Sequence, residues 1–303
     1  MDRISAMKAF VRVVDTGSLS EAARQLGLSK SAVGKQVGVL ESVVGRPLLH
    51  RSTRAVRTTP EGEALLERCR RLVQEVEALG SGAAADPGLL AGHLRLSAPS
   101  SFAALFLAGA LPAFLERHAG LTVELLTNDR LVDPVREGFD LVFHGQDDPR
   151  PSLIARAVCP LRRVVCAAPA HLARYGAPDA PAALAAHPAI QYSLLPTGAA
   201  WALERDGRRE TVRPRPRLTT DSGAVMLRAA LDGAGVALLP TLVAADALKD
   251  GRLVRLLPGW EAERLAIHAA YPTEHRGNPR IRALLDFLAA RLEPLPPWDR
   301  DIP

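Results

Sequence analysis

Cysteine is scarce in this chain of 303 residues: Cys69, Cys159 and Cys166 form an odd set with no Cys-x-x-Cys spacing. That argues against a disulfide framework and against a zinc site, and leaves Cys159 and Cys166 either as a redox pair or as ordinary core thiols. Long apolar runs are missing too, since no stretch of about 18 uncharged apolar residues occurs. The opening MDRISAMKAF alternates charge with apolar residues where a signal peptide would be apolar, so a cytoplasmic protein with no membrane partner is expected. Catalytic signatures are absent as well: there is no Gly-x-Ser-x-Gly elbow, phosphate loop or His-Glu-x-x-His, and Gly233-Ala-Gly235 lacks a third glycine. No enzyme activity, metal or cofactor is expected.

What is present is an apolar fraction of 48%, which with this length predicts two or three compact units. The net charge of +5 is unevenly spread. Residues 1–59 carry ten Lys and Arg against four acids, residues 60–90 carry three Arg against six acids, and the rest is near balance. The basic charge thus belongs to the first sixty residues, which is the electrostatic footprint expected for double-stranded DNA.

Ile4, Met7, Val11 and Val14, with Phe10 beside them, repeat at helical spacing and predict a first amphipathic helix ending at Thr16-Gly17. Ser18-Leu-Ser-Glu21 has the form of a reciprocal capping box opening a second helix, and Gly27 closes it. Ser29 then caps a third, so the pair forms a helix-turn-helix. At 100° per residue, Val33, Val37, Leu40 and Val44 make a core stripe on that third helix. The opposite side carries Ser31, Lys35, Gly38 and Ser42, flanked by Gly34. Glycines on this face let the backbone approach base edges and phosphates, or else they are surface residues that only weaken the helix. Residues 45–60 follow as short apolar pairs around an arginine-bearing tip, the pattern of a small hairpin wing.

The stretch MKAFVRVVDTGSLSEAARQLGLSKSAVGKQVGVLESVVGRPLLHRSTRAVRTTPEGEALLERC resembles the N-terminal domain of LysR-type transcriptional regulators. The resemblance implies groove-reading residues at Lys30, Ser31, Gly34, Lys35 and Gln36, and wing contacts from Arg51, Ser52, Thr53 and Arg54. The chain departs from the pattern at Gly34, where a serine is usual, at Leu49, where an aromatic is common, and at Thr58, where a leucine is common. From Glu61 onward, Leu65, Cys69, Leu72, Val76 and Leu79 are spaced as an a/d seam, with Leu66 and Val73 as a second stripe for the chain's own domain. The resemblance implies that this linker helix dimerises, giving a homodimer or homotetramer.

Beyond the breaker-rich residues 81–91, strand and helix patterns alternate as βαβαβ, leave that lobe, build a second set and return. The expected fold class is therefore α/β with an N-terminal winged helix-turn-helix, and LRLSAPSSF and LDGAGVALLPTLVAADALKDGRLVRLLPGW resemble the family's effector-binding domain with its two-lobed, periplasmic-binding-protein-like fold. The predicted division is 1–59 for DNA binding, 60–80 for the linker helix, 81–91 for the hinge, 92–293 for effector binding and 294–303 for a tail. Lobe one comprises 92–161 and 267–293, and lobe two 162–266. Ligands of such sheets bind beyond the strand C-termini, where helix N-termini favour an anionic group. Ser100, Ser101, Thr127, Asn128, His144, Tyr192, Trp201, Thr220 and Asp221 are the effector candidates, although the serines and Asp221 are equally ordinary helix caps. The chain reads as a DNA-binding transcriptional regulator modulated by a small, anionic effector. The alternative is a carrier-type small-molecule-binding protein using the same two lobes.

Overall fold

The computed structural model describes residues 2–51, 56–81, 90–146, 150–195 and 198–302. The chain divides into two compact units, Met1–His93 with Ala119–Thr122, and Leu94–His118 with Val123–Pro303.

The first unit is built on α1 (Arg3–Thr16), α2 (Leu19–Leu26), α3 (Lys30–Val44), a hairpin of β1 (Leu49–Arg51) and β2 (Val56–Thr58), and α4 (Pro60–Ser81). Each short helix is bounded as its sequence dictates. Asp2 accepts from the Ile4 and Ser5 amides, Ser18 from Glu21, and Ser29 from Ala32, while Gly17, Gly27 and Gly45 take left-handed conformations at the C-termini. The capping box at Ser18 is only half made: the Ser18 amide donates to Thr16 Oγ1 at 3.4 Å, and Glu21 turns instead to Arg24 and Gln25. A guanidinium in reach outcompetes a backbone amide for a carboxylate.

The core face of α1 is Ala6, Ala9, Phe10 and Val13, not the stripe through Ile4, Met7, Val11 and Val14, which are partly buried. Alanine contributes little to a hydrophobicity pattern yet permits close helix packing, so the true face lies slightly rotated from the apparent one. On α3, Val33, Val37 and Leu40 are buried as expected, but Val44 is 39% exposed because the helix ends there. On α4, Cys69 is buried in the three-helix core with Leu65 and Leu66 packed against it. Those seam positions therefore serve the chain's own domain, and Leu72 and Val76 are the ones left exposed. Leu79 lies in α4, its side chain outside the described residues.

The second unit holds two five-stranded sheets. The first has the order β4-β3-β5-β15-β6, from β3 (Ala91–Ala98), β4 (Gly120–Thr127), β5 (Leu141–His144), β6 (Leu153–Leu161) and β15 (Leu265–Pro272). The second has the order β11-β8-β12-β7-β13, from β7 (Arg163–Ala167), β8 (Pro188–Tyr192), β11 (Arg215–Thr220), β12 (Val236–Pro240) and β13 (Val254–Arg255). A small sheet of β9 (Trp201–Arg205), β10 (Arg208–Val212) and β14 (Glu261–Ala262) lies beside the second. The chain crosses between lobes twice, at Leu161–Arg163 and at Glu263–Leu265, as the two-lobed reading requires. Strand β6 belongs to lobe one, where it pairs antiparallel with β15, with Leu161 opposite Leu265.

The helix Thr241–Lys249 is not apparent in the sequence pattern, because seven of its nine residues are buried and no polar stripe marks a period. The C-terminal residues are likewise more than a tail, since Trp298 and Asp299 are buried.

Candidate DNA-binding face and effector cavity

The side of α3 away from the core presents Lys30, Ser31 and Lys35 exposed, with Gly34, Gln36 and Gly38 partly so. A Cβ built on Gly34 or Gly38 would meet no atom within 4 Å, so nothing inside the chain requires either glycine. The Ser31 hydroxyl lies 3.0 Å from that of Ser29, which orients it beside the helix start. Arg51 closes β1 with its side chain outside the described residues, and Ser52, Thr53 and Arg54 lie outside them altogether. The hairpin itself is present, with Leu49 opposite Thr58.

The four acids of residues 2–59 are all engaged within the fold. Asp2 caps α1, Asp15 pairs with Arg70, and Glu21 pairs with Arg24, whose hydrogen bonds pull the Glu21 carboxyl down to about 2. Glu41 accepts the amides of Leu48 at 2.9 Å and Leu49 at 3.3 Å, which ties the wing to the end of α3. The basic surface is thus not offset by free carboxylates near it, and a phosphate backbone meets net positive charge.

In the second unit a cavity of about 610 Å³ is walled by Phe102, Leu161, Met226, Leu238, Leu242 and Val243 from both lobes. Its polar lining includes Ser101, Asp129, His144, Arg163, Tyr192 and Glu263. A mostly apolar cavity of this size with a few converging polar groups suits a small organic ligand. Gly223 opens the lobe-two helix Gly223–Leu231 against lobe one: a Cβ there would stand 2.7 Å from Ser101 Oγ, so the missing side chain permits the approach.

Of the sequence candidates, Ser101, His144 and Tyr192 line the cavity; the other six do not. Ser100 gives its hydroxyl to Asp129 at 2.7 Å and its amide to the same carboxylate at 3.1 Å. The backbone N–H of Asn128 donates to the Ala98 carbonyl, and Thr127 is exposed. Trp201 is 1% exposed inside the lobe-two core, its Nε1 donating to Gln191 Oε1 at 3.1 Å, because alternation along β9 turns it inward. Thr220 Oγ1 accepts the Ser222 amide, and Ser222, not Asp221, caps the following helix.

Sequence reading missed Asp129, Arg163 and Gly223. Asp129 adjoins the named strand end at Asn128, and Arg163 belongs to an arginine pair that leads into an otherwise uncharged strand; those were the available signals. Arg163 is 7% exposed, donates to the Glu263 carbonyl at 3.3 Å, and has a buried Nε with no hydrogen-bond partner among the described residues. Burial lowers its affinity for the proton, opposed by the Glu263 carboxylate. Burial and the charges of Asp129 and Asp221 push the Tyr192 hydroxyl up, so it stays protonated and can donate. The three cysteines are free and buried, with Cys69 pushed up to about 11 and Cys159 and Cys166 to about 12, all chiefly by burial. Such thiols are poor nucleophiles, which favours core packing over a redox role.

Among the described residues no helix is long and apolar enough to cross a membrane. The bacterial regulatory helix-turn-helix pattern of the lysR family matches residues 4–63, and the LysR substrate binding domain matches residues 87–293. The chain is 33% identical over 293 residues to the uncharacterized HTH-type transcriptional regulator YhjC of Escherichia coli (strain K12), covering 95% of this chain and 97% of that one. It is 34% identical over 289 residues to the HTH-type transcriptional regulator PtxR of Pseudomonas aeruginosa, covering 95% and 93%. Among solved structures, CrgA, a LysR-type transcriptional regulator from Neisseria meningitidis, superposes with a TM-score of 0.62 at 28% identity over 95% of this chain and 98% of that one. A helix-turn-helix joined to a two-lobed effector-binding domain, matched over nearly the whole length, makes this chain a member of the LysR family of bacterial transcriptional regulators.

Proposed function

We propose that this regulator reads operator DNA through Lys30, Ser31, Gly34, Lys35 and Gln36 of α3, with Arg51, Ser52, Thr53 and Arg54 of the wing at phosphate or in the minor groove. Residues 1–59 form the DNA-binding domain, 60–80 the linker helix, 81–91 the hinge and 92–293 the effector-binding domain. Two chains pair through Leu72, Val76 and Leu79 of the linker helix, and further contacts give dimers or tetramers in the cytoplasm. The chain acts by binding and carries out no catalysis.

The effector occupies the cavity between the lobes and carries a negative charge. Arg163 supports this reading most directly. A guanidinium withdrawn from water, faced by the Glu263 carboxylate but with its buried Nε unpartnered among the described residues, has donor capacity left over that an anionic ligand beside it would use. Ser101 of lobe one and Tyr192 of lobe two supply further donors to the cavity, and the apolar lining would hold the ligand's body. Ligand binding biases the lobes toward one arrangement, and that bias reaches DNA through the paired linker helices.

The test is a footprint on the DNA upstream of the protein's own gene, with and without candidate metabolites. The expected result is a protected site that weakens on Lys35→Ala, together with a metabolite response that Arg163→Gln abolishes while basal DNA affinity stays within about threefold. Absence of protection at physiological salt, combined with no effect of Lys35→Ala, would overturn the DNA assignment. An undiminished response in Arg163→Gln would overturn the anionic effector.

A further inference from the structure

The LysR substrate binding domain pattern ends at residue 293, yet the described residues beyond it, 294–302, pack against both lobes. The turn Pro297–Asp299 sits on the lobe-two helix Thr241–Lys249. Trp298 is 8% exposed, its ring edge-on to Phe106 at 5.5 Å and to Phe102 at 6.4 Å, both on the lobe-one helix that starts at Ser100. Four residues on, Ile302 packs against the lobe-two core. Arg300 folds back to donate to the Leu295 carbonyl, which closes the segment on itself.

On both lobes, elements this segment grips also contribute to the cavity lining. Phe102 is part of the cavity wall, and Leu242 and Val243 at the start of the Thr241–Lys249 helix are another part. Phe102 in turn meets the ring of Phe143 of β5 at 5.5 Å in a tilted contact, so Trp298 backs a continuous aromatic cluster. The docking is imperfectly satisfied: Trp298 Nε1 and Asp299 Oδ1 are buried without hydrogen-bond partners among the described residues. Apolar burial holds the segment, and unpaired polar atoms oppose it.

We propose that residues 294–302 form an inter-lobe clamp in which Trp298 is a positioning residue for the Phe102 wall, so that clamp docking and cavity occupancy are coupled. The coupling clause rests on the cavity being the effector site; the clamp itself does not. Any change in the angle between lobes must slide Trp298 over Phe102 and Phe106 or lift Ile302 from lobe two. A ligand that reshapes the Phe102 wall must likewise shift the preferred seat of Trp298.

The test uses the full-length protein without effector. In Trp298→Ala, amide hydrogen exchange should speed about tenfold in both Phe102–Leu107 and Thr241–Lys249, and Trp298→Phe should restore it to within about threefold. Ile302→Asp, which disturbs only the lobe-two end, should speed the same two segments. Exchange that is unchanged, or that changes on one lobe alone, in both Trp298→Ala and Ile302→Asp overturns the clamp. If Trp298→Ala does not fold, the Ile302→Asp and Trp298→Phe measurements decide. For the coupling, the dye 1-anilinonaphthalene-8-sulfonate serves as a cavity probe whose displacement by Met226→Trp marks it as bound there. Its affinity should change at least threefold in Trp298→Ala and stay within twofold for Leu295→Ala, an exposed position in the same segment. An affinity unaltered in Trp298→Ala overturns the coupling, and a dye insensitive to Met226→Trp does the same. The exchange arms stand even where the effector reading fails, which keeps the two failures distinguishable.

Discussion

A Cβ on Gly62 would stand 2.1 Å from the carbonyl oxygen of Leu48. The same carbonyl accepts the Thr59 amide at 3.0 Å, and Thr59 Oγ1 accepts the Gly62 amide at 3.0 Å. The start of α4 and the base of the wing are therefore one joint, closed from the other side by Glu41 on the Leu48 and Leu49 amides.

Gly62→Ala forces that joint open. The backbone oxygen has no flexible side chain to yield, so a loss of about 3 kcal/mol from the N-terminal unit is expected, near the upper end of overpacking. Urea unfolding followed by far-UV circular dichroism should show the early transition moving down, with DNA affinity falling at 37 °C. An unmoved midpoint would refute the joint.

Gly34 and Gly38 predict the opposite behaviour. With open space at both Cβ positions, Gly38→Ala should stabilise α3 by about 0.5–1 kcal/mol through helix propensity alone. Gly34→Ser should keep or tighten DNA binding while shifting base preference, measured by selection from randomised operators. If Gly34→Ser abolishes binding, close backbone approach to DNA is the reason for the glycine.

Leu72 and Val76 are 42% and 37% exposed on α4, a pair of apolar side chains one turn apart. Leu72→Asp with Val76→Asp should raise the dissociation constant of the dimer at least a hundredfold in sedimentation equilibrium, with little effect on the unfolding of the monomer. Cys69→Ser, by contrast, should destabilise the monomer by about 1–3 kcal/mol, since a hydroxyl would replace a thiol buried in its own core.

His171 and His187 form a buried pair with ring nitrogens 3.2 Å apart, and Tyr175 stacks on His171 at 4.7 Å. Burial holds both imidazoles below the ordinary value of 6.5, and for His171 the nearby His187 and Arg174 add to the effect. The unfolded chain then binds more protons below pH 6.5, so this contribution is present above that value and is lost as pH falls. Unfolding midpoints at pH 7.5 and 5.5 should differ more in the wild type than in His187→Gln; equal differences would remove the pair from the account.

Much of the N-terminal unit was legible because its signals are local. A cap residue acts on an amide three positions away, and a left-handed glycine ends its own helix, so Ser18, Ser29, Gly17 and Gly27 could be assigned without knowing what they pack against. The wing hairpin, the two crossings and the lobe order followed from periodicity and breakers. Less local features were misread. The helix Thr241–Lys249 has no polar face to reveal its period, and the alanines of α1 hid its packing face. Ser100 and Trp201 had the right chemistry for a ligand, yet each is committed to an internal partner, Asp129 and Gln191.

The sequence by itself determined the two-part organisation, the basic helix-turn-helix, and the placement of the glycines on the outer side of α3, because these depend on spacing along the chain. Tertiary structure alone decided that Cys69 is core, that Arg163 and Gly223 meet at a cavity with Ser101, and that Trp298 reaches back to Phe102. Those contacts join residues far apart in sequence, and which of several chemically suitable side chains meets a cavity depends on how the strands and helices pack.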